Sequence, residues 1–527
     1  MRSPNENHKT FSLIVTTIAS LFSRGTGFLT QVVTAWYLSP DDFGLYAIAL
    51  GVTTFTLLMR DGGTGIVYQT MRPSEYAVLG GGLFRLAMTF AILGALFTLG
   101  AALPAENYYN QKSLGWILVL IAILAILNHI FIYPRSKMLS QLLFKEIAWI
   151  DVVCSIVKLT VAFLLARSGW GALTFVYAQI ASILVGIILT SLWARFDRKD
   201  FSVELNWLPP TLALIKYPLA ISVLLTLTDQ VDSFIASLFI PLGSLGIYYF
   251  SCKLVSQPIR LISSTLSSVL APFAARARDN SLLEKKNIAS TFTSSMIFLP
   301  LFIFGIAAIY PSLEKLVWGE KWQASIWPVI FTAFFLVYPT VQGVLEGPLI
   351  GLRRWRLYIH LLSWRAGSKI IGALLAILVI KFFDIADSYI AVTLVIGVGS
   401  LSSISAIIQI RRILHTFTVD QEMTNYELYA TPLYAFLAVI ATEGVVSSIM
   451  SNLALKTSNL MYVAAMELGL SILIFGGTSI VLLRFAYITK LKIVIILLPK
   501  TARDLTCKLL KIPQSELALT KEELQRD

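Results

Sequence analysis

Charged residues are scarce in this sequence, and long polar stretches are scarcer. Asp, Glu, Lys and Arg make up only 14% of the 527 residues, whereas 56% are hydrophobic. With a mean hydropathy of +0.75, this composition excludes an ordinary soluble globular protein. The sequence therefore predicts a protein whose main solvent is the lipid bilayer.

Cysteine and histidine are also rare. The three cysteines (Cys154, Cys252 and Cys507) are scattered, which excludes a disulfide framework, and the four histidines lack ligand spacing. We expect no metal site and no cofactor, since no stretch resembles a nucleotide-binding loop. The first apolar run is too long for a signal peptide and lacks a cleavage site, so we expect it to stay in the mature protein.

Apolar runs long enough to cross a bilayer as helices recur from end to end. They lack the strict alternation of outer-membrane strands. The sequence predicts an all-α integral membrane protein of about 14 transmembrane helices. The predicted spans lie near 11–37, 42–70, 80–103, 113–134, 147–166, 170–194, 212–239, 243–272, 289–310, 323–350, 357–380, 386–410, 428–451 and 459–488.

The basic residues predict the topology. A net charge of +12 fits cytoplasmic loops that face anionic lipid better than nucleic-acid binding, so we expect no nucleic-acid partner. Alternate loops and the C-terminal tail hold most of the Lys and Arg. The remaining loops hold few, namely Lys112, Arg167, Lys315, Lys321, Lys381 and Lys456. This asymmetry predicts a multi-pass membrane protein with both termini in the cytoplasm.

The two halves of the chain resemble each other. F-G-L-Y-A-I-A at 43–49 and L-G-I-Y-Y-F-S at 245–251 each follow a proline, Pro40 or Pro241. Lys158 in S-I-V-K-L-T corresponds in the same way to Lys369 in G-S-K-I-I-G. A repeat of about six spans is typical of a transporter core, with a cavity where the halves face each other. The predicted domains are a six-helix lobe at 1–200, a second pseudo-symmetric lobe at 201–415, two additional helices at 416–490 and a basic amphipathic cytoplasmic tail at 491–527.

Several charges fall deep within the predicted spans. A basic residue there costs about 2.5–3.5 kcal/mol if it faces lipid, so these residues must line a wet cavity, pair with acids or reach an interface. Clustered cations in a cavity suit a phosphate or pyrophosphate and suit a cationic drug badly. The deep basic residues are Arg24, Arg60, Arg85, Lys158, Lys253, Arg260, Arg365 and Lys369; the deeper acids are Asp61, Asp151, Asp229, Asp232, Glu346, Glu443 and Glu467.

Some of these residues have more than one interpretation. Asp61 could pair with its neighbour Arg60 or take part in ion coupling. Asp229 and Asp232 share a helix face, so they either couple transport to H⁺ or Na⁺ or neutralise an arginine. The glycines near two arginines fit either close helix packing or a thinned helix that lets the halves rock. They are Gly25 and Gly27 beside Arg24, and Gly62, Gly63 and Gly65 after Arg60.

Four motifs carry a family resemblance: S-R-G-T-G-F at 23–28, L-S-P-D-D-F-G-L-Y at 38–46, D-S-F-I-A-S at 232–237 and P-I-R-L-I-S-S-T-L-S-S-V-L-A-P-F at 258–273. Their order and spacing resemble the Wzx-type polysaccharide-export flippases of the multidrug/oligosaccharidyl-lipid/polysaccharide superfamily. The resemblance implies a non-enzymatic flippase. Such a protein moves undecaprenyl-pyrophosphate-linked oligosaccharide repeat units across the cytoplasmic membrane by alternating access, for O-antigen or exopolysaccharide synthesis. Its expected partners are that lipid-linked oligosaccharide, membrane lipid, and the polymerase and chain-length proteins of the same pathway.

S-R-G-T-G-F and L-L-M-R-D-G-G are also similar to the first two helices of lipid II flippases, in which arginines of helices 1, 2 and 8 serve the diphosphate. The second arginine that those flippases carry in helix 1 is absent here, where Thr30 and Gln31 stand. This favours an O-unit or exopolysaccharide repeat over lipid II. With the resemblance and the deep cations together, the expected substrate-binding residues are Arg24, Arg60, Arg260, Lys158, Lys369 and Lys253.

Two rival functions remain at this point. One is a cation-coupled multidrug exporter of the same superfamily, with Asp229 and Asp232 as the drug and cation site. The other is a membrane glycosyltransferase or polymerase, although such enzymes usually need a sizeable outside loop and the predicted outside loops are short.

Overall fold

Helices account for the whole secondary structure of the described part of the chain. The computed structural model describes residues 22–23, 25–54, 63–64, 67, 73–141, 143–194, 208–276, 281–352, 354–417, 421–454 and 463–479, and these contain no strand. The helices are α1 (25–37), α2 (Pro40–Val52), α3 (Pro73–Tyr109), α4 (Lys112–Ser140), α5 (Phe144–Arg167), α6 (Leu173–Ala194), α7 (Leu208–Ser237), α8 (Leu242–Arg276), α9 (Ser281–Trp318), α10 (Ile326–Gly351), α11 (Trp355–Phe382), α12 (Asp387–Thr416), α13 (Gln421–Ala454) and α14 (Val463–Ser479), with a 3₁₀ turn at Gln323–Ser325.

The helices have the length and surface of membrane spans. Within the described ranges, nine are long and apolar enough to cross a bilayer. Large apolar side chains stay exposed on them, as on α3, where Leu96 is 59% and Leu103 72% exposed. Side chains of this kind are stable in lipid and costly in water. The predicted fold class, an all-α integral membrane protein of about 14 helices, is confirmed.

The start of α2 shows how a polar motif begins an apolar helix. Ser39 caps it: its Oγ accepts a hydrogen bond from the Asp42 backbone N–H at 3.2 Å. Asp42 Oδ2 in turn accepts one from the Ser39 N–H at 2.8 Å. Pro40 follows the cap, where its missing N–H costs nothing. The S-P-D-D stretch thus fixes where the repeated F-G-L-Y segment enters the fold.

The two copies of that segment meet in the structure. A Cβ at Gly44 in α2 would lie 2.1 Å from the Leu242 carbonyl oxygen in α8. A Cβ at Gly246 in α8 would lie 1.8 Å from the Pro40 carbonyl oxygen in α2. Gly44 and Gly246 are 202 positions apart, and so are Pro40 and Leu242. The contact is therefore reciprocal across the repeat, and only glycine allows the two backbones to approach so closely.

The described helices form two compact units. One lies within Met1–Asp279 and Ala324–Arg412, and the other within Asn280–Gln323 and Ile413–Asp527. In the first unit, α3 packs on α4, α5 on α6, α7 on α11, and α8 on both α10 and α2; in the second, α9 packs on α13. These units follow packing and not the sequence repeat, so the lobe boundaries at 1–200 and 201–415 stay predictions.

Candidate functional site

A cavity of about 770 Å³ lies within the first unit. Its walls come from α7, α8, α10, α11 and α12, with Gly27 of α1 and Lys158 of α5 completing them. The first half of the chain therefore contributes to a chamber that is built mainly by the second half. The charged side chains that line it are Lys158, Asp229, Asp232, Lys253, Arg260, Glu346, Arg365 and Lys369.

Arg260 of α8 is bound to Asp229 of α7 by two contacts. Its Nη1 donates to Oδ2 at 3.1 Å, and its Nη2 contacts Oδ1. The Arg260 side chain is nevertheless 59% exposed. Because a guanidinium has five N–H donors, the remaining ones are left to face the cavity.

Arg365 of α11 and Glu346 of α10 form a more enclosed pair. Arg365 Nη1 donates to Glu346 Oε1 at 2.7 Å, and the two side chains are only 14% and 11% exposed. The Tyr358 hydroxyl donates to Glu346 Oε2 at 3.3 Å. Neither Glu346 nor Arg365 was among the predicted site residues. The sequence feature that points to this pair is an acid and a base that lie deep within neighbouring predicted spans.

Asp232 of α7 meets both an amine and a hydroxyl. The Tyr248 hydroxyl donates to Asp232 Oδ2 at 2.6 Å, and Lys369 Nζ lies 3.6 Å from the same oxygen. Asp229 is paired with Arg260, so both aspartates of D-Q-V-D neutralise a cation in this structure. This geometry favours charge pairing, one of the two interpretations that the sequence allowed.

Lys158 and Lys253 differ from the other cavity cations. Among the described residues, neither has a carboxylate oxygen within 4.0 Å. Lys253 Nζ lies 5.2 Å from the centroid of the Tyr249 ring, a cation–π contact. Counting the described lining residues, five cations share the chamber with three carboxylates. The chamber therefore has an excess of positive charge.

The structure describes only part of the remaining predicted residues. Arg24, Arg60 and Asp61 lie outside the described residues. Arg85 lies on α3 with an exposed side chain and does not line the cavity. The structure therefore brings together the four described candidate cations Lys158, Lys253, Arg260 and Lys369, and adds Arg365.

Small polar side chains line one face of α8. Ser256, Ser263, Ser264 and Ser267 follow helical spacing with Arg260 between them, and all of them border the cavity. Hydroxyl groups can both donate and accept hydrogen bonds. This wall can therefore bind a polyhydroxylated solute beside the charged groups.

The glycines near the first two deep arginines have different surroundings. A Cβ at Gly25 or Gly27 would meet no atom of the described residues within 4 Å, and Gly27 borders the cavity. Gly63 has φ +77°, and a Cβ there would lie 2.4 Å from the backbone nitrogen of Leu219 in α7. Close helix packing therefore explains Gly63, while Gly62 and Gly65 lie outside the described residues.

Comparisons with known proteins agree on the kind of protein. A family model described as "Polysaccharide biosynthesis protein" matches residues 33–327. The succinoglycan biosynthesis transport protein ExoT of Rhizobium meliloti (strain 1021) is 23% identical over 367 residues, which cover 66% of this chain and 72% of ExoT. The teichuronic acid biosynthesis protein TuaB of Bacillus subtilis (strain 168) is 21% identical over 241 residues, covering 45% of this chain and 50% of TuaB.

The fold also matches a solved structure. The lipid II flippase MurJ, in an inward closed conformation, superposes with a TM-score of 0.63 at 13% sequence identity. The match covers 89% of this chain and 99% of MurJ. At this identity the match establishes a shared fold.

Proposed function

This chain belongs to the polysaccharide biosynthesis protein family, and from that premise we propose that it is a flippase for lipid-linked oligosaccharide. Its substrate would be an undecaprenyl-pyrophosphate-linked repeat unit for O-antigen or exopolysaccharide synthesis, carried from the cytoplasmic to the outer leaflet. The observation that carries the proposal is the chamber itself, in which five cations outnumber three carboxylates. A cavity with this excess attracts an anionic head group.

The diphosphate binds on the cationic wall. Arg260 presents a largely exposed guanidinium there, and Arg24 and Arg60 complete the arginine set that the family resemblance implies. Guanidinium groups suit this task because their paired N–H donors match phosphate oxygens. Lys158, Lys253 and Lys369 add point charges to the same chamber.

The sugars and the polyprenyl tail of the substrate occupy different environments. The serine-lined face of α8 supplies hydroxyl partners for the sugars. The polyprenyl tail stays in lipid, because burying its long apolar chain in this polar chamber would be unfavourable. Alternating access then moves the head group across the membrane while the tail remains in the bilayer.

This proposal makes the protein a transporter without catalysis of its own, placed in the bacterial inner membrane with both termini cytoplasmic. The names of two similar proteins support transport, since ExoT is a transport protein and MurJ a flippase. Polymerase and chain-length proteins of the same pathway are its proposed partners. A multidrug exporter fits less well because positive charge in the chamber repels cationic drugs.

Loss of Arg24 provides the test. In cells whose own gene is deleted, we expect the Arg24→Ala variant to insert at normal levels but to restore no surface polysaccharide. Arg85→Ala is the matched control, because Arg85 is exposed on α3 and lies outside the cavity; it should restore export. Normal polymer with Arg24→Ala would remove the proposed role of Arg24. Drug resistance without any change in polysaccharide would support the exporter.

A further inference from the structure

Two tyrosine hydroxyls tie the end of α3 to the turn between α7 and α8. The Tyr109 hydroxyl lies 2.9 Å from Ser237 Oγ, and the Tyr108 hydroxyl donates to the Leu238 carbonyl oxygen at 3.2 Å. The residues that they join are 128 and 130 positions apart in the chain. Both hydrogen bonds therefore connect the predicted first half to the predicted second half, on the side that the topology predicts to face outward.

The chamber does not reach the outer ends of the helices that form it. Its lining residues stop about one to two turns before those ends, at Ser233 in α7, Tyr248 in α8, Thr332 in α10 and Val395 in α12. The turn that joins α7 to α8 therefore belongs to the part of the fold that closes the chamber on this side.

The other contacts of this region with the first half are buried. The Phe250 ring of α8 packs edge-on against Phe43 of α2, with centroids 5.5 Å apart and both side chains 0% exposed. Tyr108, in contrast, is 63% exposed. Water can replace the partner of an exposed hydroxyl, so such a hydrogen bond costs little to break. The tyrosine contacts are thus the more easily reversible part of the closure.

The segment that carries the two tyrosines follows a weak point in α3. Pro104 lies inside this helix, five residues before Tyr109. Proline has no N–H, so one backbone hydrogen bond of the helix is missing there. Helices bend most readily at such positions. The end of α3 can therefore move with the α7–α8 turn or separate from it without disturbing the rest of the helix.

We propose that Tyr108 and Tyr109 form an outer latch, which holds the α7–α8 turn against α3 while the chamber is closed outward. This inference rests on the proposed flippase function and deepens it by naming contacts that must break before the head group can leave. When the latch opens, water takes the place of the tyrosines at Ser237 and Leu238. Loss of the latch therefore shifts the protein toward its outward-open form.

The reactivity of one native cysteine tests the latch. Cys252 borders the cavity and is half-buried, and replacing Cys154 and Cys507 by serine leaves it as the one cysteine of the chain. A membrane-impermeant methanethiosulfonate then reports access from the outer side in spheroplasts and from the cytoplasmic side in inverted vesicles. We expect Tyr109→Phe to raise the rate of outer labelling about two- to tenfold, as for one lost hydrogen bond, and Tyr108→Phe/Tyr109→Phe to raise it further.

Tyr177→Phe is the matched control for these variants. The Tyr177 hydroxyl of α6 accepts a hydrogen bond from Trp116 Nε1 of α4 at 3.1 Å, so it joins two helices of the first half only. This variant should label like the parent. Outer labelling of the double variant at the rate of the parent would overturn the latch. An equal rise from both sides would also overturn it, because a loosened fold, and not a gate, would then expose Cys252.

A reversible cross-link provides a second test. In a chain without its three native cysteines, Tyr109→Cys and Ser237→Cys would be bridged by a short bifunctional methanethiosulfonate that fills the space of the tyrosine ring. We expect the bridge to stop movement of undecaprenyl pyrophosphate between leaflets and a reductant to restore it. Unchanged movement in the bridged protein would contradict the latch. Absence of movement in the wild type would instead overturn the proposed function, while the labelling result would still decide the latch.

Discussion

Single residues show how this protein keeps charge at membrane depth. Five of the deep cations line the cavity, namely Lys158, Lys253, Arg260, Arg365 and Lys369, and three of the five have a carboxylate partner there. The most enclosed pair is Arg365 with Glu346. A pair of this kind adds little net stability, but removing one partner leaves the other charge buried and unbalanced.

The Arg365–Glu346 pair allows a direct test of that balance. Arg365→Met removes the ion pair of Glu346 and leaves the Tyr358 hydroxyl as the one hydrogen-bond donor to its carboxylate among the described residues, so we expect a loss of about 3–5 kcal/mol in the free energy of unfolding. Adding Glu346→Gln should recover most of it, because no unpaired charge then remains. The free energy of unfolding of each detergent-solubilised variant measures both the loss and the recovery. A double variant as unstable as the single one would show that packing, and not charge balance, is what Arg365 supplies.

Part of the site could be predicted at this scale. Hydropathy alone required the deep cations to avoid lipid, and Lys158, Lys253, Arg260 and Lys369 do border one cavity; their role in binding stays a prediction. The ion pairs could not be predicted, because they depend on the rotation and packing of separate helices. Arg365 shows this: only the packed fold brings Glu346, 19 positions away along the chain, within hydrogen-bond distance.

At the scale of helices, the central feature is the crossing of α2 and α8. The sequence indicated that F-G-L-Y and L-G-I-Y are copies of one segment. It could not show that the copies touch, since a repeat does not reveal where its symmetry axis passes. The structure places both glycines against the opposite backbone, Gly44 against Leu242 and Gly246 against Pro40. The segment is therefore repeated where the two halves meet.

Gly246→Ala tests this contact. The new methyl group would overlap the Pro40 carbonyl oxygen, so α2 and α8 must separate. We expect a clearly lower unfolding temperature and loss of polysaccharide export. Gly44→Ala should have the same effect, because it meets Leu242 in the reciprocal way.

Gly100→Ala on α3 provides the control for these variants, because a Cβ there meets no atom within 4 Å in the part of the chain that the structure describes. It should be neutral or stabilise the protein by about 0.5–1 kcal/mol through its higher helix propensity. If Gly246→Ala unfolds at the same temperature as Gly100→Ala, the close crossing does not exist in solution.

The whole molecule combines a known fold with a chamber whose charge suits one class of substrate. The fold class and the number of helices could be predicted because the length of an apolar segment indicates whether it can cross a bilayer as a helix. Family membership followed from the order of short motifs and is confirmed by the match to residues 33–327. Which cations form ion pairs could not be predicted from the sequence, since that depends on which acids the folded helices bring near them.

Movement of a diphosphate lipid across a membrane tests the central claim most directly. The full-length protein in liposomes would receive undecaprenyl pyrophosphate carrying a fluorescent sugar, and an impermeant quencher would report how much label remains in the outer leaflet. We predict that the protein moves this lipid between leaflets, that Lys158→Gln/Lys253→Gln slows the movement strongly, and that Lys216→Gln does not, since Lys216 is exposed on α7 outside the cavity. Movement no faster than in protein-free liposomes, or transport of a cationic dye instead, would contradict the account.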